Sequence, residues 1–346
     1  MENKTPEHLL VIRLSAMGDV AICLPVLNAL SEQYPQLRLT ILTRPLFAPL
    51  FDHLPLTSVF PIDLKGKHKG ICGLYRLFKD FRKKDITQVA DLHNVLRTNI
   101  LKCFFAFTAI PFKQIDKGRK EKKALIRAKN KVFKPLLPTY KRYAAVFEQL
   151  GYPITWKKNY FSPKPALSDT LKTLLSPLMN IGIAPFASHK GKEYPFERTK
   201  ELIAALSMQY PQAKIFIFGG GNREKSLVSQ LPAYPNVVPM VGRLPFGEEL
   251  ALIAHLHLMI AMDSGNAHLA ANYGVPTLTL WGVTHPYAGF APYGQHMENC
   301  MVADRNLFPL VPTSVFGNKY PENYEKSIET IFLQDILRKV SIYLEK

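Results

Sequence analysis

Short uninterrupted apolar runs recur along this chain, and each stops at small or polar residues. In the first half they fall at 9–14, 37–43, 59–62 and 86–92. In the second half they fall at 180–185, 213–218, 237–241, 256–262 and 276–280. Runs of this length read as buried strands. Longer amphipathic stretches lie between them. Val20, Leu24, Leu27 and Leu30 recur at helical spacing and predict a helix over 20–33. The stretches 71–83, 196–209, 245–255 and 267–273 read likewise, the last closed by Gly274. Apolar strands alternating with helices imply parallel sheets built from βαβ units. Pro153, Pro163 and Pro165 interrupt the alternation, and the pattern then restarts. The expected organisation is an N-terminal Rossmann-like domain at 1–150, a linker at 151–168, a second Rossmann-like domain at 169–318 and a C-terminal helical tail at 319–346, helical over 320–345.

In such sheets ligands bind at the carboxyl ends of the strands, so the residues that end the strands carry the candidate chemistry. Ser15-Ala16-Met17-Gly18-Asp19 is a tight loop that launches the first long helix. Asp19 suits a general base, and equally a helix first-turn acid. Asp91 to Thr98 follows a strand; there a helix would place His93 and Arg97 one turn apart, either as acceptor contacts or as surface caps. The stretch 187–195 carries Lys190 and Lys192. Gly219-Gly220-Gly221 precedes Glu224, which is either a ligand contact or a first-turn acid. The spacing is not Gly-x-Gly-x-x-Gly, so a nicotinamide dinucleotide is not expected. Asp263, Ser264, Gly265 and His268 open one helix, and Gly282 to Thr284 end the next strand on the same rim. Free helix N–H groups there can face an anion.

Asp263-Ser-Gly-x-x-His-Leu-Ala, followed by Gly-x-Pro and Trp-Gly-x-Thr-x-Pro, resembles the family 9 glycosyltransferases, the ADP-heptose:lipopolysaccharide heptosyltransferases. The segment Leu10-Val-Ile-Arg-Leu-Ser-Ala-Met-Gly-Asp-Val20 is similar to the N-terminal signature of that family. The resemblance implies a GT-B fold, two facing Rossmann-like doubly wound domains with the substrates held in the cleft. It implies inverting, metal-independent transfer of heptose from ADP-heptose to a lipopolysaccharide inner-core acceptor, with no cofactor. Asp19 would be the base, with Ser15, Gly18, His93 and Arg97 on the acceptor side. Lys192, within Lys192-Glu193-Tyr194-Pro195, matches the lysine that contacts the donor diphosphate, and Lys190 competes for that place. Glu224 would face the nucleoside, and Asp263, Ser264, Gly265, His268 and Thr284 the rest of the donor. The final helix would pack back on the N-terminal domain. His285 departs from the pattern, because many members carry Asp there, and it leaves another sugar donor open.

Composition sharpens this picture in a few places. The chain has 346 residues, 47% of them hydrophobic, enough for two cores. No metal-binding residue pattern is evident: no Asp-x-Asp pair occurs, and one aspartate beside serine and glycine supplies too few hard ligands. Cys23, Cys72, Cys103 and Cys300 are scattered and read as single reduced thiols in a cytoplasmic protein. No run of about 18 apolar residues predicts a spanning helix, and the opening residues do not read as a secretory leader. The net charge of +17, from 44 basic and 27 acidic residues, favours acidic partners. The densest basic stretch, within 113–142, interleaves lysines with apolar residues. It suits an anionic membrane surface, a phosphorylated, lipid-linked acidic glycan, or plain solvation. No nucleic-acid-binding signature accompanies the charge. The expected location is peripheral to the inner face of the cytoplasmic membrane. Two other readings stand beside the transferase: a nucleotide-sugar epimerase on a similar fold, and a non-catalytic basic adaptor at membranes.

Overall fold

The structure, a computed structural model, describes residues 7–345. Residues 1–6, part of the opening stretch read above as carrying no leader, lie outside the described residues. The chain divides into two compact units. One comprises the chain up to Lys117 together with Thr139–Ser162; the other comprises Gly118–Pro138 and everything from Pro163 onward.

In chain order the first unit begins with β1 (His8–Ile12), α1 (Met17–Ala21), α2 (Leu24–Gln33) and β2 (Arg38–Thr43). It continues with β3 (Thr57–Pro61), α3 (Gly70–Arg82), β4 (Gln88–Asp91), α4 (Leu96–Phe105) and β5 (Phe112–Gln114). The next helix, α5 (Arg119–Ile126), belongs to the second unit, and α6 (Thr139–Glu148) returns to the first. The second unit then runs through α7 (Asp169–Leu174), β6 (Met179–Ala184), α8 (Phe196–Gln209), β7 (Ala213–Ile217), α9 (Asn222–Val228) and β8 (Val237–Pro239). It ends with α10 (Phe246–Ala254), β9 (Leu258–Met262), α11 (Gly265–Asn272), β10 (Thr277–Trp281), β11 (Cys300–Val302) and α12 (Leu333–Leu344).

The first sheet has the order β3-β2-β1-β4-β5, and all its pairs are parallel. Val11 faces Ile41 on one side and Ala90 on the other, so β1 is buried across its whole length. The second sheet has the order β11-β10-β9-β6-β7-β8, again all parallel. Strands buried on both faces have no polar side to alternate with, which is why the sequence shows unbroken apolar runs. In each sheet the strand order reverses once: between β1 and β4, and between β6 and β9. The crevice at such a reversal is where open parallel sheets hold ligands.

Three expectations need correction. The helix read over 20–33 is two helices. Pro25 falls in the first turn of α2, where its missing N–H costs nothing, whereas inside one continuous helix it would break the ladder. The tail over 320–345 is a 3-10 segment at Tyr324–Thr330 followed by α12. Within the second unit, Ile336 and Val340 of that helix are fully buried in the core with Ile203, Leu206 and Ile260. Finally, the boundary between units is not a single linker, because 118–138 groups with the second unit and 151–162 with the first.

Candidate functional site

In the first unit the reversal point collects Arg13, Asp19, Asp91 and His93. Arg13 leaves the end of β1 and is only 6% exposed. Its guanidinium donates to Leu92 O at 2.7 Å and lies 2.6 Å from Asp19 Oδ2. Ala16 N–H also reaches that oxygen, at 3.4 Å. Asp19 Oδ1 has no partner among the described residues, and the carboxylate is 28% exposed. Beneath it the fully buried Tyr143 of α6 donates to Asp19 O at 3.3 Å. The loop after β4 is pinned by Asp91, whose Oδ1 accepts from the backbone N–H groups of His93 and Asn94. Asn94 takes a left-handed conformation, φ 45°. A helix cannot run through such a residue, so α4 starts only at Leu96. His93 therefore precedes the helix, and the expected helical pairing with Arg97 is not formed. Arg97 sits exposed in the first turn of α4, while His93 is buried and its Nδ1 has no partner among the described residues. Ser15 and Gly18 are half-buried beside Asp19.

Burial pushes the His93 imidazole down to about 3, with the charges of Arg13 and Lys117 adding to the effect. An unfolded imidazole protonates near 6.5, so below that pH the unfolded chain binds the extra proton and the fold weakens. The contribution is complete above pH 6.5 and shrinks by about 1.4 kcal/mol per pH unit as pH falls toward the folded value. A His93→Gln variant should therefore lose about 2 kcal/mol less than the unmodified protein between pH 7 and pH 5, read from urea midpoints. Equal losses in the two proteins would show that His93 is not the group responsible.

In the second unit the reversal point is built from the loops after β6, β9 and β10. Lys192, in a 3-10 turn at Lys190–Lys192, places its ammonium 2.8 Å from Asp263 Oδ2. Thr284 donates to the same oxygen at 2.9 Å. Val283 N–H donates to Gly191 O at 3.2 Å, which ties the lysine loop to the end of β10. Gly317, at φ +81°, packs on the lysine stem; a Cβ there would lie 2.3 Å from Lys192 Cγ. Lys190 is exposed. The geometry thus gathers Lys192 and not Lys190 with Asp263 and Thr284. Ser264 is the N-cap residue of α11, but its hydroxyl makes no capping bond. Ser264 Oγ and Asn266 Oδ1 are buried without a partner among the described residues. Two unpaired polar atoms beside the free N–H groups of a helix start and an ammonium form an environment suited to a phosphorylated ligand. His268 is buried within α11, one turn further on.

Two further clusters border this region within the same unit. Glu224 folds back so that Oε2 accepts from Gly220 N–H. Burial raises its carboxyl above the usual range, and nearby Glu193 adds to the rise. His285 Nδ1 accepts from Tyr287 N–H at 3.1 Å, which leaves its proton on Nε2. Burial, with Arg305 and Lys131 close by, holds this imidazole down to about 4, so it is neutral. Its ring meets Phe133 at 5.1 Å, and Arg305 stacks on Phe133 at 3.5 Å. Phe133 belongs to the basic stretch, which is docked here. Lys131 Nζ donates to Leu125 O, Leu310 O and Pro312 O at 3.0, 2.9 and 2.7 Å, and Leu125 and Leu136 pack with Ala288.

Two Rossmann-like parallel-sheet units, each with polar groups gathered at its reversal point, define the GT-B class of glycosyltransferase fold. The family model for glycosyltransferase family 9 (heptosyltransferase) matches residues 74–318, and the chain belongs to that family. The protein is therefore a glycosyltransferase. A lipopolysaccharide core heptosyltransferase, OpsX, of Haemophilus influenzae is 26% identical over 84% of this chain and 83% of its own length. Among solved structures, Escherichia coli ADP-heptose lps heptosyltransferase II covers 98% of both chains at 19% identity, with a TM-score of 0.69. E. coli heptosyltransferase WaaC, solved with ADP, covers 97% of this chain and 99% of its own at 17% identity, with a TM-score of 0.67.

Sequence reasoning did not single out Arg13 or Asn266. Arg13 had a signal, since a lone cation at the end of an apolar strand must find a partner inside the protein. Asn266 had one only in retrospect, as a buried amide in a first helical turn. Gly317 lies far from Lys192 in the chain, and nothing local marks its contact.

Proposed function

We propose that this protein transfers heptose from ADP-heptose to a lipopolysaccharide inner-core acceptor, with inversion at the anomeric carbon and without an essential metal ion. It works as a peripheral protein at the inner face of the cytoplasmic membrane. The observation that carries the donor assignment is the Lys192–Asp263–Thr284 cluster at the start of α11, at the reversal point of the second sheet. The heptosyltransferase relatives, one of them solved with ADP, support the same donor class.

In this reading the second unit holds the donor. The Lys192 ammonium and the free N–H groups of α11 offset the charge that grows on the diphosphate as the glycosidic bond breaks. Asp263 positions the lysine, with Thr284 bracing the carboxylate. Ser264, Gly265 and His268 contact phosphate or sugar, and Glu224 the nucleoside. The first unit holds the acceptor near Ser15, Gly18, His93 and Arg97. Asp19, fixed through Oδ2 by Arg13, takes the acceptor hydroxyl proton on Oδ1. The acceptor oxygen bonds the anomeric carbon as ADP leaves, so one displacement inverts the centre.

Thermal stability measured with ADP, UDP, GDP, CMP and NAD in turn, in the presence of a chelator, tests the donor. A ligand at about 100 times its dissociation constant adds about 2.7 kcal/mol to the folded state, a rise of several degrees for domains of this size. Stabilisation by ADP alone, lost in Lys192→Ala, is the expected result. A preference for UDP or GDP would keep the fold and discard ADP-heptose. Turnover of a nucleotide sugar with no acceptor present would point to epimerase chemistry instead.

A further inference from the structure

One flank of the first unit, apart from Arg97 at the start of α4, serves none of the chemistry described so far. Helices α3 and α4 pack side by side, and the seam between them is aromatic. Tyr75 and Phe78 of α3 meet Phe104 of α4 at 5.4 and 5.9 Å between ring centres. The seam is open to solvent. Ile71, one turn before Tyr75, is 64% exposed, and Phe107, just past the end of α4, is 90% exposed. Tyr75 itself is 45% exposed. Helical spacing puts Ile71, Tyr75 and Phe78 on one side of α3, and Ile100 and Phe104 on one side of α4, with Phe107 in the turn that follows. Phe78, Ile100 and Phe104 are partly buried against the core formed by Leu74, Leu77, Phe81, Leu101 and Phe105, whereas Ile71, Tyr75 and Phe107 stand outside that core and face solvent.

The charge around this row has one sign. Residues 65–84 carry eight lysines and arginines against one acid, Asp80, which Lys67 already pairs at 2.8 Å. Helix α4 carries Arg97 and Lys102 and no acid. Lys79 Nζ lies 4.9 Å over the Tyr75 ring, at the border between the apolar row and its basic rim. Exposed apolar residues rimmed by uncompensated cations match an interface that is anionic at the surface and hydrocarbon just beneath. Aromatic rings favour that boundary, and lysines and arginines bind the anionic headgroups above it. A second copy of this chain would bring the same positive charge to the contact and be repelled.

We propose that the α3–α4 face, centred on Ile71, Tyr75, Phe104 and Phe107, is the surface by which this protein sits on an anionic phospholipid membrane. This deepens the peripheral-membrane part of the proposed function and rests on it. It assigns the contact to α3–α4 and not to the basic segment 118–138, whose Lys131, Phe133 and Leu136 are engaged within the second unit. The start of α4 follows directly on the Asp91–His93 loop, so the face begins at the rim where a lipid-linked acceptor would be held.

The test is co-sedimentation with vesicles of phosphatidylethanolamine and phosphatidylglycerol, set against vesicles of phosphatidylcholine alone. The protein should bind the anionic vesicles and release them as salt rises. The double variant Ile71→Ser/Phe107→Ser should lower the partition coefficient about tenfold. Lys79→Gln and Arg82→Gln should lower it about fivefold each. All four positions are at the surface, so melting temperature and ADP-induced stabilisation should not change. Lys120→Glu/Lys123→Glu on α5 should bind as the unmodified protein does. Undiminished binding by the Ile71/Phe107 variant would overturn this face while leaving membrane association intact. No vesicle binding at all would overturn both, whereas transfer to a delipidated acceptor would still uphold the transferase.

Discussion

Asp19→Asn should abolish most turnover: a fall in kcat of about 10²- to 10⁴-fold is expected for loss of a positioned general base. The amide is nearly isosteric and can still accept from Arg13, which also keeps its bond to Leu92 O. The buried Arg13 loses its carboxylate partner, so the melting temperature should fall; the fold should survive, and ADP should stabilise the variant as well as it does the parent, because the donor groups lie in the other unit. Single-turnover transfer at saturating donor and acceptor reads the effect directly. The competing role for Asp19 is structural, as the acid in the first turn of α1. That role predicts the same fall in melting temperature with kcat nearly unchanged. Retention of more than about a tenth of the rate would remove Asp19 as the base.

Lys192→Ala should cost about 10²- to 10³-fold in kcat, the range seen when one donor to a developing negative charge is removed. It also strands Asp263, which is nearly buried and would keep only Thr284. Breaking such a pair from one side destabilises by about 3 kcal/mol, so the single variant confounds folding with chemistry. Lys192→Met/Asp263→Asn separates them. Both charges go together, stability should largely return, and the rate should not. Recovery of the rate in the double variant would mean that the pair is structural and that the diphosphate is met elsewhere.

The elements that were legible in the sequence are those whose partners are dictated by burial alone. Strands such as 256–262 and 276–280 are apolar throughout because both their faces are covered, and period and length suffice to find them. Strands β5 and β11 each have three residues and lie at sheet edges, too short to show any period. The break between α1 and α2 follows from Pro25 and was readable, but it was masked by the apolar spacing that continues across it. His93 and Arg97 were misplaced because one left-handed asparagine moves a helix start by several residues, and asparagine accepts that conformation without advertising it. At the site, the residue types at the strand ends were visible. The pairing of Lys192 with Asp263 was not, because the sheet order that brings β6 beside β9 is a property of the whole second unit. The surface that receives Ile336 and Val340 of α12 was not legible for a similar reason: its amphipathic stripe is plain, but a stripe does not name the core that covers it.

The docking of 118–138 governs the order in which this molecule can assemble. Leu125 and Leu136 complete a small core with Ala288, and Lys131 is held by the carbonyls of Leu310 and Pro312. On a ribosome adding about 5–20 residues per second, those partners emerge about ten to thirty seconds after the segment itself. During that interval the first unit can close around β1–β5 and α6 while the segment between β5 and α6 hangs as an unsatisfied, cationic loop. A chain stopped near residue 162 would carry that loop permanently. The N-terminal half is therefore not a module to be cut out at one point and grafted elsewhere; exchange between family members needs 118–138 to travel with the C-terminal half.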